Sequence, residues 1–461
     1  MRDAGLGGFL NAHAPVRRTT RPPMTAAASP VSSPATLRKV VAASMIGTTI
    51  EWYDFFLYGT AAALVFNKLF FPASEPLVGT MLAFATYALG FVARPLGGVI
   101  FGHYGDRIGR KRLLMLSLIL MGVATVLIGC LPTFDQVGLL APVLLIVLRL
   151  VQGFAVGGEW GGAVLIVAEH GDAARRGFWT SFPQAGVAAG SLLASGLLAV
   201  MAALQTEADF LAWGWRVPFL LSAVLIGVGW WIRATVDESP TFKAVAAEVQ
   251  ALPKAPALEA IRKRPLRLLI GGGLKFAENI SYYIVSVFTI TYVTQAVGLS
   301  RQVALNAILV ASALHVILIP AFGWLSDRIG RRPVYAFGAF GMMLWAFAFF
   351  RLLDTADPTM IVAACCGALV FHAAMYGGQA AFLAEMFPTR YRYSGVSLAY
   401  QATSIFAGSL APLIAAALLA ATGSGFPIAL YVAAASLVTG IAALAARETR
   451  GKSFDEIDAE A

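Results

Sequence analysis

Two copies of one charged pattern, GHYGDRIGRKR at 102–112 and GWLSDRIGRRP at 323–333, divide the chain into similar halves. Each copy follows a long apolar run, and their first residues, 102 and 323, lie 221 positions apart. A pattern of this length seldom recurs by chance at matching places, so the chain contains an internal repeat. Membrane proteins built from two such repeats enclose a pathway between the copies.

The sequence around both copies is strongly apolar. Of the 461 residues, 58% are hydrophobic and only 13% are charged, whereas a soluble domain carries about 25% charged residues. A membrane-spanning helix needs about 20 apolar residues, and the runs lack the alternation of barrel strands. The sequence therefore predicts an all-α integral membrane protein with twelve transmembrane helices in two pseudo-symmetric six-helix bundles. The predicted spans are 40–66, 77–101, 113–131, 138–168, 178–203, 216–235, 268–297, 303–325, 333–353, 359–383, 395–421 and 425–446.

The longest polar interval between apolar runs separates the sixth span from the seventh. If the N-terminus is placed in the cytoplasm, most of the 34 Lys and Arg residues lie in loops and tails on the cytoplasmic side. Positive residues favour the cytoplasmic side, so both termini are predicted there, in a multi-pass inner membrane protein. The predicted segments are a disordered N-terminal tail at 1–37, six-helix bundles at 38–235 and 267–446, a cytoplasmic linker at 236–266 and a cytoplasmic C-terminal tail at 447–461.

The remaining composition narrows the function classes. The net charge of +9 is spread over short loops, which argues against a nucleic-acid partner. The five histidines are scattered and form no HxxH or HExxH motif, which argues against a metal centre or a membrane enzyme. We therefore expect no cofactor, with a proton gradient as the energy source. The expected partners are a small organic anion, protons and the lipid bilayer, and we expect a monomer.

The repeated pattern Gly-x-x-x-Asp-Arg-x-Gly-Arg-basic resembles the signature of the major facilitator superfamily. Four further stretches resemble its metabolite:proton symporter branch, and within it the shikimate-transporter-like members. These stretches are GTTIEWYDFFLYG at 47–59, RLVQGFAVGGEWGG at 149–162, DESPTF at 237–242 and EMFPTRYRYSG at 385–395. The resemblance implies proton-driven alternating access. It does not select a substrate, because relatives in this branch carry dicarboxylates, tricarboxylates, aromatic acids, or zwitterions such as proline and betaine.

The first span carries two acids, Glu51 and Asp54, on one helical face near the middle of the bilayer. A charge at that depth costs several kcal/mol unless it is paired or hydrated. Burial and mutual repulsion both favour the protonated form of a carboxylate, so the two acids are suited to carrying protons. The alternative is a permanent ion pair with a partner on the fourth or fifth span.

Arg149 lies near the middle of the fourth span, with Gln152 and Glu159 close to the same face. Its planar guanidinium can bind a carboxylate through two hydrogen bonds, so Arg149 is the leading candidate for anchoring an anion. The alternative is that Arg149 only neutralises Glu51 or Asp54. Glu159 lies nearer the cytoplasm and is assigned to a gate.

Polar stripes also occur on the seventh and tenth spans, which the resemblance places around the cavity with the first and fourth. Lys275 and Glu278 either contribute to the site or satisfy each other as an ion pair. His372 can titrate in the physiological range, although a buried histidine can equally be a neutral hydrogen-bonding group. The candidate proton-coupling residues are Glu51, Asp54, Glu278 and His372. The candidate substrate-binding residues are Arg149, Lys275, Asn279, Tyr282, Tyr283, Tyr376, Gln379, Gln184, Tyr58 and Trp52.

Charged residues near the loops form a candidate cytoplasmic gate. Glu169 and Arg176 are seven residues apart, as are Glu385 and Arg392 in the second half. The resemblance implies that such a network latches the outward-facing state, whereas positive-inside topology alone explains the basic residues but not the acids. Arg94, in the second span, is interpreted as a structural or gating charge. The candidate gate residues are Asp106, Arg107, Arg110, Lys111, Glu159, Glu169, Arg176, Asp327, Arg328, Arg331, Glu385 and Arg392.

Together these features predict proton-coupled uptake of a small carboxylate-bearing metabolite such as shikimate. A lining of polar groups disfavours a purely apolar drug, because unmatched buried polar groups are costly. One alternative is proton-coupled uptake of a zwitterion such as proline or betaine, held by the acids and an aromatic cage of Trp52, Tyr53 and Tyr282. The other is a passive uniporter, which would not need several buried carboxylates.

Overall fold

The computed structural model describes residues 34–72, 75–108, 110–157, 160–235, 261–389 and 392–460. Within these ranges, the side chains at 98–99, 101–114, 160–163, 170 and 232–235 are not described. Most of the predicted N-terminal tail and residues 236–260 of the predicted linker lie outside the described residues. The described residues all belong to one compact unit.

The described residues form helices joined by short turns. In the first half these are α1 (Pro34–Ala61), α2 (Pro76–Ile108), α3 (Arg110–Gly129), α4 (Leu140–Val156), α5 (Trp160–His170), α6 (Arg176–Leu204) and α7 (Arg216–Thr235). In the second half they are α8 (Pro265–Tyr283), α9 (Arg301–Ile329), α10 (Arg331–Leu353), α11 (Pro358–Met386), α12 (Arg392–Phe406), α13 (Ala411–Thr422) and α14 (Phe426–Ala445). A short helix, α15 (Phe454–Ala459), follows near the C-terminus.

Short helical turns extend several of these helices. One-turn α- or 3-10 segments lie at Asn67–Leu69, Phe134–Val137, Ala173–Arg175, Glu207–Asp209 and Thr289–Thr291. Wider π-helical turns lie at Ala62–Phe66, Phe210–Gly214, Ile284–Phe288 and Tyr292–Ala296. Such turns often occur at functional sites, and here two of them directly continue α1 and α8, which carry candidate charges in the middle of the protein.

The helices are long and apolar enough to cross a membrane. Among the described residues, 8 helices meet this condition, and two shorter apolar helices lie at 115–129 and 140–156. The two remaining predicted spans, the first and the seventh, correspond to α1 and α8, whose apolar runs contain buried charges. The predicted all-α membrane fold is therefore confirmed. The eleventh predicted span differs in one respect: a turn at 407–410 separates α12 from α13, with Pro412 in the first turn of the new helix.

Helix packing shows the internal repeat. In the first half, α1 packs against α6, α2 against α4, and α3 against α7. The corresponding helices of the second half pair in the same way: α8 with α12, α9 with α11, and α10 with α14. Between the halves, α6 packs against α9 and α11, while α2 packs against α12 and α13. The two repeats thus meet along two seams that flank the centre of the molecule.

The second charged pattern forms a tight connection between α9 and α10. Its glycine, Gly330, adopts a φ of 114°, a left-handed conformation that side chains disfavour. The next residue, Arg331, already begins α10. A glycine at this position therefore lets one helix end and the next begin without an intervening loop.

Glycines also bring α2 and α4 into close contact. A Cβ at Gly153 would lie 1.9 Å from the backbone O of Gly90, and one at Gly97 would lie 1.9 Å from the backbone O of Phe154. Neither distance leaves room for a side chain. Small residues of this kind allow membrane helices to pack backbone against backbone.

We expect Gly153→Ala to lower the apparent Tm of the detergent-purified protein, because the added methyl group would overlap α2. Overpacking of this kind costs about 1–3 kcal/mol. Gly227→Ala on α7 is the matched control, since no atom lies within 4 Å of a Cβ added there. Equal Tm values for the two variants would contradict the close α2–α4 contact.

Candidate functional site

Arg149 on α4 is fully buried at the centre of the first half. Its Nη1 donates to Gln152 Oε1 at 3.1 Å, and its Nε and Nη2 both donate to the backbone O of Tyr87 at 3.4 Å. Gly90 makes room for it, since a Cβ there would lie 2.6 Å from Arg149 Nε. Among the described side chains, no acid forms an ion pair with Arg149. The alternative that Arg149 only neutralises Glu51 or Asp54 is therefore not seen as an ion pair among these side chains.

Aromatic rings enclose the same guanidinium. Its Cζ lies 4.6 Å from the ring centroid of Phe55, 4.2 Å from that of Tyr58 and 4.6 Å from that of Tyr87. The Tyr58 hydroxyl is hydrogen-bonded to Thr86 at 2.7 Å. The positive charge of Arg149 is therefore stabilised by π-systems and neutral oxygens.

Asp54 is connected to Arg149 through polar side chains. It is 3% exposed, and its Oδ1 accepts a hydrogen bond from the Ser222 hydroxyl on α7 at 2.6 Å. Thr125 on α3 lies beside the same carboxylate and accepts a hydrogen bond from Gln152 Nε2 at 2.7 Å. Because Gln152 also accepts from Arg149, polar contacts lead from the acid to the arginine. Asp54 has no ion-pair partner in the described part of the chain.

In the second half, Lys275 and Glu278 form a buried ion pair. Lys275 Nζ lies 2.5 Å from Glu278 Oε2, and the two side chains are 1% and 3% exposed. The ammonium also lies 3.9 Å from the ring centroid of Tyr400. Of the two alternatives left by the sequence, this conformation adopts the pair in which Lys275 and Glu278 satisfy each other.

A chain of titratable groups continues from that pair. Glu278 Oε1 lies 3.2 Å from His372 Nε2, and His372 Nδ1 lies 2.9 Å from His315 Nε2. Each histidine is 1% exposed. His315, on α9, is a weaker candidate than His372 from the sequence, because nothing within its own span indicates that α11 would place a second histidine against it.

Gln379 and Tyr335 complete the surroundings of Glu278. Gln379 Nε2 donates to Glu278 Oε2 at 3.3 Å and to the Tyr335 hydroxyl oxygen at 2.7 Å. Tyr335 in turn donates to the backbone O of Leu274 at 2.7 Å. The Glu278 carboxylate therefore has contacts from α8 and α11, and Tyr335 on α10 reaches it only through Gln379.

Tyr282 and Tyr283 connect this network to the first half. The Tyr282 ring lies 4.8 Å from the His372 ring and 5.4 Å from that of Phe56 on α1. The Tyr283 ring lies 5.7 Å from that of Phe91 on α2. These aromatic rings separate the polar contacts of Asp54 and Arg149 in the first half from the ion pair of Lys275 and Glu278 in the second.

The remaining substrate and proton candidates are buried as well. Asn279 donates to Ser404 on α12 at 2.9 Å, and the Tyr376 ring lies 5.2 Å from that of His372. Three others are at most 5% exposed: Glu51, Trp52 and Gln184.

Arg94 on α2, interpreted from the sequence as a structural or gating charge, belongs to the same region. It is 2% exposed, and its Cζ lies 5.6 Å from the ring centroid of Trp52, 4.5 Å from that of Phe55 and 4.3 Å from that of Phe91. The arginine therefore faces the rings of α1 in the interior of the protein, among the residues of the site.

At one end of the bundle, an ion-pair cluster joins the halves; its members are Arg176, Asp327, Arg331 and Glu385. Arg176 Nη1 lies 2.8 Å from Glu385 Oε1, and Arg331 Nη2 lies 3.2 Å from the same oxygen. Arg331 Nη1 lies 2.6 Å from Asp327 Oδ1. Every side chain of the cluster is 5% exposed or less. Isolated surface pairs contribute little, but a buried network between two bodies can bias a conformational equilibrium.

Asp327 also holds the start of α6 from the opposite half. Its Oδ1 accepts a hydrogen bond from the backbone N–H of Gly177 at 2.8 Å, and its Oδ2 accepts one from Phe178 at 2.7 Å. An acid at a helix N-terminus satisfies free N–H groups and the helix dipole. The acid of the second charged pattern thus connects the two repeats directly.

The C-terminal tail reinforces this end. Thr449 donates to Glu385 Oε2 at 2.6 Å, and the backbone N–H groups of Arg331 and Arg332 both donate to the Glu448 carboxylate at 3.0 Å. Burial alone would raise the pKa of Glu448, but these and two further backbone hydrogen bonds outweigh it and hold the pKa below its ordinary value. The tail is therefore bound to the turn of the second charged pattern.

The other gate candidates are distributed more loosely. Arg392 donates to the backbone O of Ala384 at 3.0 Å and of Phe387 at 3.1 Å, and its guanidinium lies over Phe454 of α15. Two others, Glu169 and Arg328, are exposed. The side chains of Asp106, Arg107, Arg110, Lys111 and Glu159 lie outside the described part of the structure. No group of three or more metal-ligating side chains is found among the described residues.

Two similar helical repeats around a buried charged centre define a membrane transporter of the major facilitator superfamily. The profile of the sugar (and other) transporter family matches residues 39–254 and 244–461. The chain belongs to this family.

Several relatives cover nearly the whole chain. It is 42% identical to the shikimate transporter of Escherichia coli (strain K12), over 90% of this chain and 95% of the relative. It is 40% identical to an inner membrane metabolite transport protein of the same strain, again over 90% and 95%. It is 34% identical to that strain's proline/betaine transporter, over 88% of this chain and 83% of the relative. These relatives are transporters and not enzymes.

Solved structures share the fold. The MFS proton:xylose symporter XylE bound to 6-bromo-6-deoxy-D-glucose has a TM-score of 0.71 at 18% identity, over 92% of this chain and 99% of that chain. A partially occluded inward open conformation of the xylose transporter XylE from E. coli has a TM-score of 0.70 at 17% identity, over 91% and 100%. At these identities the likeness concerns the fold alone.

We expect Asp327→Asn to lower the maximal transport rate more than substrate affinity, because Asp327 joins the halves and does not line the buried centre. Initial uptake rates at saturating substrate, together with equilibrium binding in detergent, would measure this. Glu207→Gln is the control, since its ion pair with Lys68 is exposed, at 62% and 50%, and should matter little. An equal loss of affinity and rate in Asp327→Asn would argue against a gating role.

Proposed function

We propose that the protein is a symporter that couples protons to the uptake of a small carboxylate-bearing metabolite, such as shikimate, by alternating access. The observation that carries this proposal is the series of polar contacts from Asp54 through Thr125 and Gln152 to Arg149. It joins a group that can hold a proton to a cation that can attract an anion.

Asp54 supports the proton step. An ionised carboxylate is costly to bury away from a cation, and Asp54 is 3% exposed, with the hydroxyls of Ser222 and Thr125 and the acid Glu51 near it. A second acid and neutral hydroxyls around a buried carboxylate favour its protonated form. Contact with water on one side of the membrane would let the acid exchange its proton with that side.

The arginines support an anionic substrate. Arg94 and Arg149 are buried in the first half, and neither has an acidic partner among the described side chains. The charge of Lys275 is already balanced by Glu278. Two buried arginines outside any ion pair among the described side chains, in a low-dielectric site, favour an anion that is held by charge-assisted hydrogen bonds.

Coupling follows from these two features. Protonation of Asp54 removes a negative charge from the polar contacts that lead to Arg149 and so strengthens the attraction of the site for an anion. By linkage, a bound anion favours protonation of Asp54 to the same extent. A proton and a monovalent anion together add no net charge to the centre, so the site carrying both has the same net charge as the empty site, whereas the proton alone would raise it.

The relatives support a carboxylate more than a zwitterion. The shikimate transporter is 42% identical to the chain, against 34% for the proline/betaine transporter. An aromatic cage is also less favoured by the geometry. The Tyr53 hydroxyl donates to the backbone O of Pro218 at 2.7 Å, while Trp52 faces Arg94 and Tyr282 lies beside His372. The three rings therefore serve different contacts.

The ion-pair cluster is assigned to the cytoplasmic side, where it would close the inner gate in the outward-facing state. We propose this orientation, with both termini in the cytoplasm, from the distribution of Lys and Arg. The inner membrane is the proposed location, in keeping with the relative named as an inner membrane protein. Each half supplies part of the buried centre, so a monomer is the proposed working unit.

We expect Asp54→Asn to abolish accumulation of substrate against a gradient while sparing exchange of preloaded substrate. Exchange needs both conformations but no net movement of protons. Uptake into proteoliposomes with and without a proton gradient would measure both activities, with exposed Asp135→Asn as control. Concentrative uptake by Asp54→Asn at the wild-type level would exclude Asp54 as the essential proton carrier.

Uptake of radiolabelled shikimate into deficient cells should be competed by carboxylate metabolites and prevented by an uncoupler. The reason is the two buried arginines of the centre together with proton loading at Asp54. Proline, betaine and uncharged sugars serve as the comparison panel. Competition by proline and betaine without competition by carboxylates would overturn the anion assignment in favour of a zwitterion. Concentrative uptake that survives the uncoupler would exclude proton coupling.

A further inference from the structure

Arg94 has hydrogen-bonding groups that its surroundings do not use. Its side chain is 2% exposed, and the rings of Trp52, Phe55 and Phe91 lie within 6 Å of its Cζ. Among the described residues, its Nε and Nη2 have no hydrogen-bond partner. A buried charged donor left unsatisfied is costly, so such groups normally have a partner in some functional state.

The two unused nitrogens have a particular geometry. The N–H of Nε and one N–H of Nη2 point the same way along one edge of the guanidinium plane. That edge matches the two oxygens of a carboxylate, which can accept from both at once. Three aromatic rings restrict the guanidinium, so the edge is held in place before a ligand arrives.

Arg149 differs in this respect although it is equally buried. Its Nε, Nη1 and Nη2 all donate to oxygens of Tyr87 or Gln152. A carboxylate that bound Arg149 directly would have to displace those contacts. A carboxylate at Arg94 would satisfy donors that the protein leaves unused.

The field at Arg94 is also favourable for an anion. The Cζ atoms of Arg94 and Arg149 lie 4.5 Å and 4.6 Å from the same ring centroid, that of Phe55. The two guanidinium groups, from α2 and α4, therefore share one aromatic neighbour, and an anion at Arg94 would reduce the repulsion between them.

We propose that Arg94 contacts the substrate carboxylate through Nε and Nη2. Arg149, whose donors are occupied by Tyr87 and Gln152, contributes its positive charge without direct contact. This inference rests on the proposed anionic substrate and deepens it. It assigns the direct contact to α2, whereas the leading candidate from the sequence lies on α4.

The test compares an acid with its neutral ester. Binding of shikimate and of its methyl ester to the detergent-purified protein would be measured by calorimetry, in wild type, Arg94→Gln and Arg149→Gln. Wild type should prefer the acid by about tenfold to a hundredfold, the worth of hydrogen bonds between charged groups. In Arg94→Gln that preference should disappear, with the affinity for the ester little changed. Arg149→Gln should still prefer the acid.

The opposite pattern would overturn the inference: wild-type preference for the acid retained in Arg94→Gln and lost in Arg149→Gln. Arg94→Lys provides a second variant that keeps the charge but replaces the two-donor edge by a single ammonium. It should fold even if Arg94→Gln does not, and its preference for the acid should be clearly smaller than that of wild type. An undiminished preference in Arg94→Lys would contradict two-point binding.

Failure of the proposed function gives a different result. If wild type binds neither shikimate nor other carboxylates, the anionic substrate is wrong, and this assignment of Arg94 fails with it. If wild type prefers the acid and the Arg94 variants do so equally, the proposed function stands and only the role of Arg94 is wrong.

Discussion

A charge in the middle of a bilayer has to be paired, hydrated or neutralised, because the hydrocarbon offers it no partner. The second half meets this constraint through contacts between helices. Lys275 pairs with Glu278, Glu278 contacts His372, and His372 contacts His315. These four side chains come from α8, α11 and α9. Satisfying the charges therefore also positions three helices relative to one another around the centre.

The same constraint acts at the end of the bundle, with a different consequence. Glu385 receives Arg176 from the first half and Arg331 from the second, while Asp327 caps the first turn of α6. In the alternating access proposed above, these contacts would hold the halves together only while that end is closed. On opening, water could replace each lost partner, which would limit the cost. A buried network at a water-accessible end is suited to a switch, whereas the central network is suited to a permanent structure.

The two repeats are similar in packing and dissimilar in charge. Corresponding helices pair alike in both halves, yet Lys275 has an acidic partner while Arg94 and Arg149 have none among the described side chains. The first half also holds Asp54, bonded to Ser222. Duplication of a helical unit thus provides the framework, and divergence of a few buried residues gives the first half the arginines and the acid on which the proposed coupling rests.

The sequence by itself determined the membrane-spanning helices, the repeat and the identity of the charges at mid-span, because hydropathy and spacing along one helix are local properties. It also placed Lys275 and Glu278 on one face, which their i, i+3 spacing requires. Only the tertiary structure decided which helices meet. The contact of His315 with His372 spans 57 positions, and the neutral partners of Arg149 come partly from α2. The unused donors of Arg94 became visible for the same reason: spacing fixes the face of a helix, but packing alone fixes what lies opposite that face.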